Sequence, residues 1–203
     1  MRNKLLLTLA LLVSAVPALA DATDELLRHL AGFTSLTGQF SQQQFPEGSD
    51  EAIESEGQFK LLRPEYFAWE ITAPDSQLVI ATPDYLWQHD RDLETVTRRP
   101  IASSGQTSPL QVLAGDEAAL RAGYQVAEAG PGRFRLTPSG QDAAFRQLEV
   151  EFAGNTLTSM DIIDNLGQRV EVDFTHLVRD APLRASDFDF SPPPRADLFY
   201  YDE

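Results

Sequence analysis

The chain has 203 residues, no cysteine, and 31 acidic against 16 basic side chains, a formal net charge of −15. A chain without cysteine has no disulfide staples, no thiolate metal site and no acylated cysteine to anchor it in a membrane. This charge balance also excludes the lysine- and arginine-rich surfaces on which binding to nucleic acid or anionic lipid headgroups rests.

Residues 1–20 have the layout of a secretory signal. Arg2 and Lys4 form a basic start, Leu5 to Val13 an apolar run too short to span a bilayer, and Ala18-Leu19-Ala20 a small-x-small cleavage pattern. Cleavage leaves residues 21–203 as one expected domain and removes two positive charges, taking the net charge from −15 to −17. Lys60 is then the single lysine, and no other stretch is long and apolar enough to cross a membrane.

"TDELLRHLAGF" predicts a short amphipathic helix, with Thr23 as N-cap, an apolar stripe of Leu26, Leu27 and Leu30, and Gly32 at its end. The period then changes to two. Strands are predicted over "LTGQFSQQQF", "IESEGQFKLL", "YFAWEI", "QLVIA", "YLWQHD" and "LETVTR", separated by turn formers. In the second of these, Ile53, Gly57, Phe59 and Leu61 share a face; in the third, Phe67, Trp69 and Ile71 do.

The rhythm stops at "RPIASSGQTSPLQVLAGDEAALRAGY", where Ser108-Pro109 and Asp116 predict two helix starts and Gly115 and Gly123 two ends. Strands resume with "YQVAEA", "RFRLTP", "FRQLEVEF", "LTSMDII" and "RVEVDFTHL". The tail carries Phe188, Phe190, a proline block and the aromatic end "DLFYYDE". About eleven strands, a leading helix and a helical insertion predict a mainly β chain built on one large, curved antiparallel sheet.

No catalytic constellation is readable. His29, His89 and His176 lie in no metal-ligand spacing, and no nucleophile elbow or phosphate-cradling glycine loop is present. Asp90, Asp92 and Glu94 alternate as in a calcium loop, but the positions that need glycine and glutamate hold Thr95 and Ile101. No enzyme, metal or cofactor is therefore expected. What remains is an apolar sheet face with only short, alanine-rich helices to cover it. Either large strand residues fill the core, or a thin lid closes a cavity. Arg63, at the end of the face that carries Phe59 and Leu61, sharpens that choice. It either snorkels to water or stacks on a ring, or its donors meet unpaired carbonyls of the lid.

"RPEYFAWE", "LWQHDRDLETVT", "SPLQVLAG" and "GQRVEVDF" together resemble the periplasmic outer-membrane lipoprotein carrier family, LolA, over essentially the whole chain after the signal. The resemblance implies an unclosed β-barrel with a helical lid within about residues 100–123. It also implies a soluble periplasmic monomer without cofactor, nucleic acid or stable membrane insertion. Such a carrier takes acylated lipoproteins from an inner-membrane ABC transporter to an outer-membrane acceptor. By the same resemblance Arg63 tethers the closed lid, Phe67 at the cavity mouth docks the transporter, and Trp69 belongs to the wall. Phe59, Leu61 and Ile71 join Phe67 and Trp69 as the expected lipid-binding wall, with Leu110, Val112 and Leu113 from the lid. The "TPD" turn and the aromatic, acidic tail depart from the family pattern. A binder of fatty acids or glycolipids, or a lipoprotein-sensing module with the same fold, remains an alternative.

Overall fold

A computed structural model describes residues 21–101, 109–140, 143 and 145–201; the side chains at 109–111 lie outside the description, as do the signal-like residues 1–20 and Ser108. The first helix, α1 (Ala22–Leu30), is capped by Asp21, whose carboxylate accepts from the Thr23 amide, so the cap lies two residues before the one predicted. Leu26 and Leu30 are buried as predicted; the helix closes at Ala31, one residue before Gly32.

From there the chain runs as hairpins: β1 (Ser35–Phe45), β2 (Ile53–Leu62), β3 (Tyr66–Ala73), β4 (Gln77–Ala81), β5 (Tyr85–Asp90) and β6 (Thr95–Pro100). A 3-10 segment, Pro109–Ala114, and α2 (Glu117–Gly123) interrupt it, the latter capped by Asp116 at 3.0 Å from the Ala119 amide. Five more antiparallel strands follow: β7 (Tyr124–Gly130), β8 (Arg133–Pro138), β9 (Phe145–Ala153), β10 (Thr156–Asp164) and β11 (Arg169–Arg179). The sheet order is β12-β6-β5-β4-β3-β2-β1-β11-β10-β9-β8-β7, so β1 joins the two runs by pairing with β2 and β11. The sheet is not closed on itself.

The twelfth strand was not predicted. β12 (Asp197–Tyr200) returns from the tail and pairs in parallel with β6, adding a parallel edge to an otherwise antiparallel sheet. Four residues at the chain end carry too little periodicity to read as a strand.

Residues of period two divide the sheet into faces. The concave face presents Phe40, Phe59, Leu61, Trp69, Leu136, Leu148, Val150, Met160 and Val172, all buried, with α1, the 3-10 segment and α2 over them. Ile53, predicted on this face, projects at the strand end and is exposed. The convex face carries a second, smaller core. There Ala68 and Ile80 are covered by Phe188 from the tail, with Trp87 and Phe190 packed beside them. The tail is thus a strap across β3 to β6 before it becomes β12.

Candidate functional site

The turn between β2 and β3 brings Arg63 under the helical insertion. Its Nη2 donates to the Leu113 carbonyl at 3.0 Å, and its guanidinium stacks on Phe33, 4.1 Å from the ring centroid. The two readings open for this side chain coexist: it stacks on a ring and donates to a carbonyl of the insertion. Burial lowers its pKa to about 10, which leaves it charged at neutral pH. Its Nε is buried without a partner among the described residues, so the Leu113 bond carries most of the compensation for that burial. Gly115 makes the approach possible: it lies at φ +67°, and a Cβ there would stand 2.9 Å from the Arg63 Nη2. The sequence marked Gly115 only as a turn, because nothing local shows what packs over it.

Beside Arg63 lies a cavity of about 210 Å³ that opens to solvent, below the range of about 300–1,000 Å³ usual for ligand pockets. Its wall includes Leu61, Phe67 and Ala81 from the sheet, and its roof Val112, Ala119 and Leu120 from the insertion. Of the residues expected there, Leu61, Phe67 and Val112 line the cavity itself. Phe59, Trp69 and Leu113 are buried in the core behind it. Ile71 is half-buried farther along β3, packed against that core. Leu110 is in the 3-10 segment, but its side chain lies outside the described residues.

The interior behind the cavity is filled by aromatic rings. Trp69 stacks on Phe40 with centroids 3.6 Å apart and meets Phe67 at 6.1 Å, Phe59 at 6.0 Å and the edge of Phe174 at 6.3 Å. The rings pack against one another and make this interior predominantly apolar. Phe40, Phe174 and Phe33 were not singled out in the sequence; period two places Phe40 and Phe174 on the concave face but does not show which rings meet.

The insertion is held at two ends. Arg63 holds Leu113, and Arg121 on α2 pairs with Glu117 on its own helix and with Asp24 on α1. The Arg121 pairs are exposed, where ion pairs contribute about 0–1 kcal/mol. The Arg63 bond is half-buried and charged, in the class worth about 1.5–3 kcal/mol. No group of acidic or histidine side chains among the described residues is arranged to hold a metal ion.

Residues 31–191 match the family described as "Outer membrane lipoprotein carrier protein LolA". An outer-membrane lipoprotein carrier protein from Alcanivorax borkumensis is 33% identical over 97% of each chain, and one from Methylibium petroleiphilum is 32% identical over 93% of this chain and 94% of its own. Among solved structures, a LolA superfamily protein from Nitrosomonas europaea superposes with a TM-score of 0.51 at 12% identity, covering 83% of this chain and 97% of that one. An uncharacterized conserved protein from Thermus thermophilus gives 0.54, also at 12% identity, over 89% of this chain and all of the other. These two share the fold.

Proposed function

This chain belongs to the LolA family of outer-membrane lipoprotein carrier proteins, and from that premise we propose that it works in the periplasm as a shuttle. It takes acylated lipoproteins from an inner-membrane ABC transporter, hides their acyl chains and hands them to an outer-membrane acceptor. The observation that carries this reading is the charged hydrogen bond, beside an apolar cavity, from the sheet to the insertion that roofs it, Arg63 to Leu113.

The physics asks for such a device. Burying a methylene is worth about 0.8 kcal/mol, so an acyl chain of about fifteen methylenes costs on the order of 12 kcal/mol to expose. A lipoprotein cannot cross water without cover, yet a cover that only tightens never releases. In the closed chain the aromatic rings fill the space that acyl chains need, so loading requires the insertion to lift and the rings to part. Arg63 sets the balance between those states: closing regains its hydrogen bond, and that gain helps expel cargo at the acceptor. Phe67, which lines the cavity and is buried in the closed chain, is the residue offered to the transporter once the insertion lifts. The insertion is then a lid and Arg63 its latch.

Replacing Arg63 by leucine leaves an apolar side chain beside Phe33 and removes both the guanidinium stack and the bond. At about 1.5–3 kcal/mol, its loss shifts the lid toward open by roughly 10- to 150-fold. Protein with its own signal, purified from a bacterial periplasm and weighed by native mass spectrometry, tests this. The expected result is wild type mostly empty and Arg63→Leu carrying acylated lipoprotein that it delivers poorly, with both melting cooperatively. If both forms stay empty and neither takes up an added acylated peptide, the carrier reading is wrong. If both bind free fatty acid better than acylated peptide, a fatty-acid binder replaces it.

A further inference from the structure

β12 has an edge that nothing among the described residues covers. It is the last strand of the sheet on its side, and Leu198, Phe199, Tyr200 and Tyr201 are each between 43% and 59% exposed. The pairing with β6 fixes which backbone groups are free. The Asp197 amide donates to the Glu94 carbonyl at 2.8 Å and the Tyr201 amide to the Arg98 carbonyl at 3.0 Å, so by parallel alternation Leu198 and Tyr200 turn their N–H and C=O groups outward. The same register fixes the side-chain faces. Phe199 stands beside Thr97, in the row that runs through Gln88 and Val79 to Trp69; Tyr201, two residues on, extends the row of Arg99, Leu86, Ala81 and Phe67. Two exposed aromatics therefore continue the concave, cavity-bearing face past β6. Tyr200 holds the strand in place from the other face, its ring 4.4 Å from the Arg98 guanidinium carbon. Ile101, directly after β6, lines the cavity, one strand spacing of about 4.8 Å from the line of β12.

The geometry points to the open edge of β12 as a docking strand for the cargo's own polypeptide: the extended segment directly following the acylated residue whose chains occupy the cavity. The inference rests on the carrier reading. With its acyl chains inside, the cargo polypeptide leaves at the mouth, and at about 3.3 Å per extended residue two or three residues bring it alongside Tyr200. There its backbone answers the outward N–H and C=O groups of Leu198 and Tyr200, and its alternate side chains rest on Phe199 and Tyr201. A bilayer surface offers apolar contact but no such regular backbone partners for an edge. A second copy of this strongly acidic chain meets like charge. Four residues of pairing are weak alone; tethering by the acyl chains supplies the high effective concentration that makes them count.

The test uses two lipopeptides with the same acylated cysteine, one followed by two residues and one by ten, measured for binding to the full mature chain. The long one is expected to bind about tenfold tighter. Methylating alternate backbone nitrogens of the long one, in the phase that faces β12, is expected to remove that gain with no change to the protein. Leu198→Pro, which deletes an outward amide while leaving the bonds to β6 in place, is expected to do the same while short-lipopeptide binding stays as in wild type. Equal affinity of long and short lipopeptides, or a gain that survives both methylation and Leu198→Pro, overturns the docking strand and leaves the carrier reading standing. No binding of either lipopeptide overturns both.

Discussion

Gly57 leaves no room for a side chain. A Cβ there would lie 1.9 Å from the Glu70 carbonyl oxygen and 2.7 Å from the Phe40 ring, at a bulge between β2 and β3. The first of those atoms is backbone, so relief requires the strands to part. Gly57→Ala is expected to cost more than about 3 kcal/mol, among the largest effects of single substitutions. At roughly 2–4 °C per kcal/mol for a chain of this size, its melting temperature falls by about 10 °C in a thermal circular-dichroism scan. An unchanged melting temperature would mean the strands yield more easily than their pairing implies. The two special residues of this region differ in how far the sequence exposes them. Arg63 stands out because an obligate charge interrupts an apolar run, and that contrast is local. Gly57 looks like one more residue of a strand face, since the atom that demands glycine belongs to another strand.

At the scale of elements, the hairpin rhythm was legible because each strand pairs with its sequence neighbour and its burial alternates along itself. Helix ends were legible to within a few residues: Asp21 and Thr23 are both competent caps, and only the backbone decides between them. The tail was not legible. β12 finds its partner, β6, far back along the chain, and Phe188 and Phe190 serve the convex face, which an antiparallel sheet usually gives to water. Phe188 is 1% exposed, with its ring 5.5 Å from Tyr66; Phe190 lies 5.3 Å from Trp87 and 5.7 Å from His89. Truncating Phe188 therefore opens a cavity under the strap, at a cost of about 3–5 kcal/mol. The strap should then loosen before the main core does. Urea titration of Phe188→Ala should show the midpoint falling, with Trp87 fluorescence shifting to the red ahead of the loss of strand signal. Simultaneous loss of both signals would instead make the strap part of the single folding unit.

The charge of the whole molecule has a pattern that composition could not reveal. Cross-strand register sets Arg135, Glu149, Asp161, Glu171, Gln43 and Glu54 in one row across the convex face, from β8 to β2. Arg135 satisfies Glu149 at 2.7 Å and Gln43 reaches Glu54 at 3.2 Å, but Asp161 sits between two carboxylates. Like charges directly opposite in a sheet each cost a fraction of a kcal/mol. Burial raises the Asp161 pKa, the Glu171 charge raises it further, Arg133 opposes, and Glu149 and Asp173 add to the rise. Because the folded value lies above the unfolded one, the folded chain holds a proton that the unfolded chain has released. The ionised form is therefore a burden at neutral pH, and acid lifts it as pH falls through the folded pKa. Asp161→Asn should raise the melting temperature at pH 7 by a few degrees, about 1 kcal/mol in a chain of this size. The gain should shrink as pH approaches the unfolded carboxylate value of about 4 and shrink again in high salt, which screens the row. Melting curves of the two proteins at pH 7 and pH 4, each with and without added salt, decide it. A gain equal at both pH values would assign the effect to the amide's hydrogen bonding and leave the row of carboxylates electrostatically neutral to stability.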